Sequence, residues 1–356
     1  MSRLRVALDV TSLIGPPTGI HQVTRGLLDA LATRADIDVR GWLLTARGIA
    51  PPLPVPVRRS RVPASLAIRG WTHLDMPPGR FVCGAADVVH GTNFLAPPTP
   101  RSVISLQDMT PITHPAWCDP AVVAMAGVVR NAVRRGATLH VSSALVREEA
   151  LAEFAIGEDR VRLVHHAVAP LVGGDADAGR RLAGGPYLLV LGRTERRKNV
   201  AAAIEAMHGL PDEIRLVIAG PDGNDAPAVA AAVARHRPGR IVRLPRVSNH
   251  DRGSLVAGAE ALLWPSRYEG FALPPLEALS VGTPVVATAV GALPELVGDA
   301  IDLIPPADDD AFAAAVVAVL AHPPEVSPAL RARITARSWA DAAAGMVEVY
   351  ADVART

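Results

Sequence analysis

The chain has 356 residues, 49% of them apolar but only 4% aromatic, and carries a net charge of +1; such a length suggests about two domains, each with ample core. No stretch reaches the roughly 18 to 20 uninterrupted apolar residues of a membrane-spanning helix, and Met1 to Arg5 leads straight into a strand pattern instead of a secretory leader. Cys83 and Cys118 are too few for a disulfide framework and lack metal-site spacing, so a soluble cytoplasmic protein is expected.

The first element is Arg5-Val6-Ala7-Leu8-Asp9-Val10, a short apolar run fit for a buried parallel strand. The glycine-bearing turn Gly15-Pro16-Pro17-Thr18-Gly19 then leads into an amphipathic helix over Ile20–Thr33. Further strands are expected at Val39–Thr45, Asp87–Gly91, Ser102–Asp108, Thr138–Ser143 and Val161–His165, with helices at Ala121–Arg135 and Ala144–Phe154. The proline-rich stretch 49–63 reads as loop.

Between Ala169 and Pro186 the composition turns to Gly, Asp and Arg without periodicity, which reads as an interdomain linker. A second series follows, with strands at Tyr187–Leu191, Ile214–Ala219, Ile241–Leu244, Ala261–Pro265, Pro284–Thr288 and Ile301–Ile304. One of its helices opens on the capping-box pattern Ser248-Asn249-His250-Asp251. Strands alternating with helices predict parallel sheets with crossover helices on both faces, hence an α/β fold of two Rossmann-like domains facing each other across a cleft. Ligands in such sheets bind beyond the carboxyl ends of the strands.

Of 36 basic residues, Lys198 alone is a lysine. It lies in Gly192-Arg193-Thr194-Glu195-Arg196-Arg197-Lys198-Asn199, directly after the apolar run Tyr187–Leu191. A strand that runs into a glycine and a basic loop opening a helix is a place to hold phosphates, and a compact ammonium differs there from a planar guanidinium. A solvent-facing loop that happens to carry the one lysine is the plain alternative.

The most specific segment is Pro265-Ser266-Arg267-Tyr268-Glu269-Gly270-Phe271-Ala272-Leu273-Pro274-Pro275-Leu276-Glu277, followed by Gly282-Thr283-Pro284. Its two carboxylates stand eight positions apart, Glu269 in a loop and Glu277 inside the helix that follows. The helix is expected to begin near Pro274, with its N-terminal dipole offered to anionic oxygens. Glu277, one turn in, has the acceptor geometry for the two hydroxyls of a ribose. Taken singly, these glutamates read as a loop charge and an exposed helix residue; the whole frame needs more.

On these residues the chain resembles the retaining glycosyltransferases of family 4, which have the GT-B fold. Glu269 to Glu277 with Gly-Phe-Ala-Leu-Pro between them resembles that family's paired-glutamate signature, and Gly192-Arg193 with Lys198-Asn199 its donor-diphosphate loop. The opening strand with Thr18-Gly19-Ile20 resembles the N-terminal glycine-rich turn. Asp87-Val88-Val89-His90-Gly91 and Asp108-Met109-Thr110-Pro111 resemble a branch containing mannosyltransferases of polysaccharide assembly.

The resemblance implies roles. Arg193 and Lys198 would neutralise the diphosphate of a nucleotide sugar, Glu277 would hold the ribose, and Glu269 with the amides of Phe271, Ala272 and Leu273 would contact donor sugar and phosphate. Pro245-Arg246-Val247 would flank the base, and Gly19 would let the first domain's backbone approach the diphosphate. The tail from Trp339 to Tyr350 would cross back to the first domain, giving domains of 1–170 plus 339–356 (acceptor) and 171–338 (donor). No cofactor and no metal are implied; the nucleotide sugar, GDP-mannose or a UDP-hexose, is a substrate. Charge on the departing diphosphate would be met by fixed cations and a helix terminus, each such contact supplying about 3 to 4 kcal/mol of barrier.

One departure stands out. Where most relatives have a histidine that touches the donor sugar, the chain reads Ser105-Leu106-Gln107-Asp108. Gln107 keeps hydrogen-bonding capacity but does not titrate. A side-chain base would then be Asp108 or His90, unless the leaving phosphate itself takes the acceptor proton. A catalytically impaired nucleotide-sugar-binding protein is therefore the second reading. An NAD(P)-dependent oxidoreductase on the same pattern is the third, disfavoured because Pro16 and Pro17 sit where its turn needs free amides.

Weaker signals concern partners. The acceptor is expected to be a glycan, a lipid-linked oligosaccharide or a small molecule; no nucleic-acid motif is present. Residues 1–170 hold 18 Arg against 13 acids, and residues 171–356 hold 18 Arg plus Lys against 22. The helix Ala121–Arg135 carries Val122, Met125, Val129 and Val133 on one side and Arg130, Arg134 and Arg135 near its end. With Arg58, Arg59, Arg61 and Arg69 it offers peripheral contact with an anionic inner membrane face; an ordinary core helix with a basic terminus is the plainer account. His165-His166 has two readings, a hinge or simple strand-end polarity.

Overall fold

The computed structural model describes residues 3–15, 18–45, 51–169, 171 and 173–356. The chain divides into two compact units, Met1–Ala167 with Arg337–Thr356, and Val168–Ala336.

In the first unit seven strands form one parallel sheet in the order β3-β2-β1-β4-β5-β6-β7. They are β1 (Leu4–Asp9), β2 (Ile37–Leu43), β3 (Val57–Arg59), β4 (Val88–Gly91), β5 (Ser102–Leu106), β6 (Thr138–Val141) and β7 (Val161–Leu163). The helices are α1 (Gly19–Ala32), α2 (Ala64–His73), α3 (Gly79–Val82), α4 (Thr110–Thr113), α5 (Pro120–Arg134) and α6 (Ala144–Phe154). Strand β1 feeds both faces of the sheet. Val6, Leu8 and Val10 pack with Leu27, Leu28, Leu31 and Val39, while Ala7 joins Trp42, Trp71, Val82 and Val128 on the opposite face.

The second unit holds a five-stranded parallel sheet in the order β10-β9-β8-β11-β12. Its strands are β8 (Tyr187–Leu191), β9 (Arg215–Ala219), β10 (Ile241–Leu244), β11 (Ala261–Trp264) and β12 (Val285–Ala287). Its helices are α7 (Ala176–Ala183), α8 (Val200–Glu205), α9 (Ala226–Val233), α10 (Asn249–Gly258), α11 (Leu273–Ser280), α12 (Leu293–Val297), α13 (Asp309–Ala321) and α14 (Pro328–Thr335). Leu188, Val190, Ile204, Leu216, Ile218, Leu263 and Phe312 make its core.

The last helix, α15 (Trp339–Arg355), belongs to the first unit. Ser338 and Asp341 form a full capping box at its start, and Met346, Val349 and Tyr350 enter the core beside α1. Gly26 permits that packing: a Cβ there would sit 2.2 Å from the Trp339 ring.

Three expectations are corrected. Within the proline-rich 49–63, Val57–Arg59 pairs in parallel with Gly41–Leu43 as an edge strand, a place where flanking prolines are tolerated; Ile49 and Ala50 lie outside the described residues. The stretch read as linker contains α7, capped by Asp175, which accepts from the Ala178 N–H at 3.1 Å, and closed by Gly184 at φ +77°. Pro170 and Val172 of that stretch are outside the described residues. Ile301–Ile304 is no strand; only Ile304 bridges to Thr288, and Asp302 and Pro305 interrupt any apolar run. Of the glycine-bearing turn, Pro16 and Pro17 are likewise outside the described residues.

Candidate active site

In both sheets the strand order reverses beside the first strand of the unit, and such switch points leave a crevice at the strands' carboxyl ends. In the second unit the reversal falls between β8 and β11. The two loops leaving them, Gly192–Asn199 and Pro265–Ala272, carry the residues singled out above. Gly192, at φ +117°, turns the chain out of β8 in a conformation only glycine adopts freely.

Glu269 is the centre of this site and is buried. Its Oε1 accepts from Lys198 Nζ at 3.0 Å and from Ser266 Oγ at 2.9 Å. Its Oε2 accepts from Arg197 Nη1, whose Nη2 lies 3.0 Å from Glu195 Oε2. Burial alone would raise the Glu269 carboxyl pKa. The charges of Arg197 and Lys198 and their hydrogen bonds overcome this and bring it down to about 2. Lys198 stands 4.2 Å over the Trp264 ring. Burial pushes its ammonium pKa down, opposed chiefly by Glu269. The result is an ionised cluster in which Lys198 and Arg197 share Glu269, and Arg197 also reaches Glu195.

Helix α11 follows the loop. Ala272, its N-cap, sits at φ +71° and ψ +58°, a left-handed geometry that costs a residue with a Cβ of order 1 kcal/mol or more. Pro274 and Pro275 occupy the second and third helical positions and have no N–H to leave idle. The free donors expected of a helix N-terminus are thereby confined to Ala272 and Leu273, a narrower set than the sequence-based picture of an open helix end. Phe271, Ala272 and Leu273 are all buried.

Glu277 has no exposed surface, and its Oε2 accepts from Arg252 Nη2 on α10. Arg193 lies at the surface with Nε donating to the Asp222 carbonyl at 3.1 Å. Arg246 is exposed and Val247 half-buried in the loop after β10.

In the first unit the order reverses between β1 and β4. Asp9, buried at the end of β1, accepts from the Thr11 amide at 2.9 Å and the Thr11 hydroxyl at 2.6 Å. Burial raises its carboxyl to about 6 against these two hydrogen bonds. Thr92, after β4, donates to the Asp9 carbonyl at 3.0 Å and receives Thr24 of α1 at 3.4 Å. The Gln107 amide donates to the Thr92 carbonyl at 2.6 Å, and its Oε1 lies 3.4 Å from His166 Nε2. Asp108 accepts from the Thr110 N–H at 2.9 Å. Gly19 is exposed, with open space where a Cβ would stand.

His90 is not placed to act as a base. It is fully buried, with Nδ1 2.7 Å from the Tyr350 hydroxyl and Nε2 2.8 Å from Ser105 Oγ. Ser105 Oγ is 2.7 Å from His140 Nδ1, and His140 Nε2 is 3.0 Å from the Val164 carbonyl. Because that carbonyl only accepts, the chain runs one way: Tyr350 donates to His90, His90 to Ser105, Ser105 to His140, and His140 to Val164. The α5 helix is likewise a core element. Val128, Val129, Ala132 and Val133 are buried, Arg130 pairs with Glu153 at 2.6 Å, and Arg135 with Asp75.

Arg197, Arg252 and Asp9 were missed at the level of sequence. Arg197 adjoins Lys198 and the loop itself pointed to it; Asp9 is the one carboxylate of β1 and follows its apolar run Val6–Leu8. Arg252 carries no local signal, since only the packing of α10 on α11 brings it to Glu277.

The whole chain has the GT-B fold. It aligns over 99% of its length with 99% of a sucrose-phosphate synthase from Thermosynechococcus elongatus, with a TM-score of 0.75 at 21% identity. Residues 177–338, which hold Lys198, Glu269 and Glu277, match the family "Glycosyl transferases group 1". A glycogen synthase of Mycobacterium tuberculosis is 30% identical over 292 residues, 74% of this chain and 68% of that one. The chain belongs to the group 1 glycosyl transferases. An O-antigen chain mannosyltransferase B of Escherichia coli is 40% identical over 136 residues, 37% of this chain and 36% of the relative, so the match spans only about a third of either protein.

Proposed function

We propose that the protein is a retaining, metal-independent glycosyltransferase of family 4 that moves a sugar from a nucleoside diphosphate to a hydroxyl of a glycan, lipid-linked or small-molecule acceptor. The observation that carries this reading is the ionised Lys198–Glu269–Arg197 cluster at the β8/β11 switch point. A carboxylate held down to about 2 stays charged at any working pH, so it fixes two cations where a diphosphate would leave. Arg193 and Lys198 neutralise the diphosphate, with Arg197 as a third cation. Glu269 and the amides of Phe271, Ala272 and Leu273 bind sugar and phosphate. Glu277 takes the ribose hydroxyls in exchange for Arg252, and Arg246 with Val247 flanks the base.

In this reading the acceptor oxygen bonds to the anomeric carbon as the bond to the diphosphate breaks. The leaving phosphate oxygen takes the acceptor proton from the same face. No side-chain base is needed, which accommodates Gln107 with its amide engaged on Thr92. In the first unit Gly19, Gln107 and Asp108 serve donor and acceptor.

GDP-mannose is favoured as donor by the resemblance to the O-antigen chain mannosyltransferase, with a UDP-hexose as the other candidate. Polysaccharide assembly on the cytoplasmic side of the membrane is the setting proposed. No helix among the described residues is long and apolar enough to cross a membrane.

The test is turnover of GDP-mannose and UDP-hexoses with a panel of acceptors, the product anomer read by NMR. Transfer with the donor's configuration kept is expected. Inversion overturns the retaining, family 4 assignment. Donor binding without transfer or slow donor hydrolysis supports the impaired binder, for which the fixed Gln107 amide would be the cause.

A further inference from the structure

The surface formed by Val57–Phe81 is unlike the rest of the molecule. Leu66 (60% exposed), Leu74 (74%), Met76 (54%) and Phe81 (59%), together with Val57, account for most of the exposed large hydrophobic side chains among the described residues. The same 25 positions hold five arginines, Arg58, Arg59, Arg61, Arg69 and Arg80, against one acid. All five arginines are exposed. That acid, Asp75, is taken by Arg135 and by Asn131 Nδ2 at 2.7 Å.

Two helices and an edge strand bring these residues together. Helix α2 buries Ala67, Gly70 and Trp71, leaving Leu66, Arg69 and His73 on its outer stripe. Helix α3 buries Val82 against the same core as Trp71. The loop between them is pinned by Trp71 Nε1, which donates to the Pro77 carbonyl at 3.0 Å, so Leu74 and Met76 are held outward on ordered backbone. Arg58 on β3 donates to the Phe81 carbonyl at 3.4 Å, and the Arg80 guanidinium lies 5.0 Å from the Phe81 ring centroid. Exposed large apolar tips and exposed cations carried on one segment are the pattern of a surface that seats in the interface of an anionic bilayer: aliphatic and aromatic groups enter the acyl boundary while arginines meet headgroup phosphates. A protein partner of ordinary composition offers no such excess of negative charge.

We infer that the Val57–Phe81 surface, and not helix α5, docks the protein on an anionic lipid bilayer. The inference stands on this surface alone and is independent of the transferase reading. Each arginine near an anionic surface strengthens partition about fivefold.

The experiment is flotation of the full chain with vesicles of phosphatidylglycerol and phosphatidylcholine, and with phosphatidylcholine alone, at low and high salt. Binding to the anionic vesicles that weakens with salt is expected. Leu74→Asp with Phe81→Asp, and separately Arg58→Glu with Arg61→Glu, should each weaken it at least about tenfold. Circular dichroism melts confirm the folded state, and if the apolar pair fails to fold the charge-reversal pair gives the answer. No binding above the phosphatidylcholine background overturns the inference, as does binding that neither pair alters. Concentration-dependent self-association abolished by Leu74→Asp overturns it too, in favour of a second copy as occupant.

Discussion

Lys198 Nζ donates to Glu269 Oε1 at 3.0 Å while standing 4.2 Å above the Trp264 ring. The ammonium is held between a carboxylate and an aromatic face, in a space that suits a compact charge on a flexible stem. Lys198→Ala removes one of the two cations on Glu269 and should lower kcat about a hundredfold or more, as loss of a preorganised charge contact does. Lys198→Arg should recover little of this, because a planar fork does not fit the point-charge position. Steady-state kinetics on the three proteins check both statements; full activity in the arginine variant would contradict them.

Arg252 supplies the cation for a carboxylate with no exposed surface. Arg252→Ala should destabilise the second unit by about 3 kcal/mol, since a fully buried carboxylate group loses the guanidinium packed against it. The double variant Arg252→Ala with Glu277→Gln should recover most of that loss. Urea melts of the four members of the cycle measure the coupling, and additive single losses would contradict it.

Asp9 has its carboxyl raised from 3.8 to about 6 by burial. Between those values the folded state binds a proton that the unfolded state does not. The favourable contribution is therefore complete below about pH 4 and lost as pH rises through about 6. At pH 8 the ionised carboxylate costs about 2 to 3 kcal/mol. Asp9→Asn keeps the oxygen that accepts from Thr11 and should raise Tm at pH 8 while leaving it nearly unchanged at pH 4. An unchanged or lower Tm at pH 8 would refute the burial argument.

The Tyr350–His90–Ser105–His140 chain has the opposite sign. Burial pushes His140 down to about 4; burial, reinforced by His140, pushes His90 and His166 well below the ordinary histidine range. Stability from neutral imidazoles is complete above about pH 6.5 and falls as the unfolded state takes up protons below it. Three such groups outweigh Asp9, so Tm should drop as pH falls from 7 to 5. Tyr350→Phe leaves His90 Nδ1 without its hydroxyl and should cost about 1 to 3 kcal/mol, read in thermal melts at pH 7.

The fold was legible because buried parallel strands leave short apolar runs such as Tyr187–Leu191, which the structure returns unchanged as β8. Elements held by contacts made elsewhere were not. Val57–Arg59 is a strand only because Gly41–Leu43 lies beside it, and α7 carries a single large apolar side chain, the exposed Leu182, with its Gly179 resting against the Ser254 backbone. The same division runs through the site. Lys198, Glu269 and Glu277 announce themselves by spacing, whereas Arg252 reaches Glu277 only after α10 and α11 pack. The apolar stripe of α5 was legible as a stripe, and the plainer of its two readings, a core helix, agrees with the burial of Val128, Val129, Ala132 and Val133; a 3.6-residue period marks burial without saying what covers it.

The central claim is that the second unit binds a nucleoside diphosphate through the Lys198–Glu269–Arg197 cluster and Glu277. Isothermal titration of the full chain with GDP and UDP, set beside Lys198→Ala and Glu277→Ala, tests it most directly. At least one diphosphate should bind the unaltered protein and each variant should bind it at least about tenfold more weakly, a loss of about 1.4 kcal/mol. Absence of binding by either nucleotide, or equal affinity in folded variants, would contradict the account.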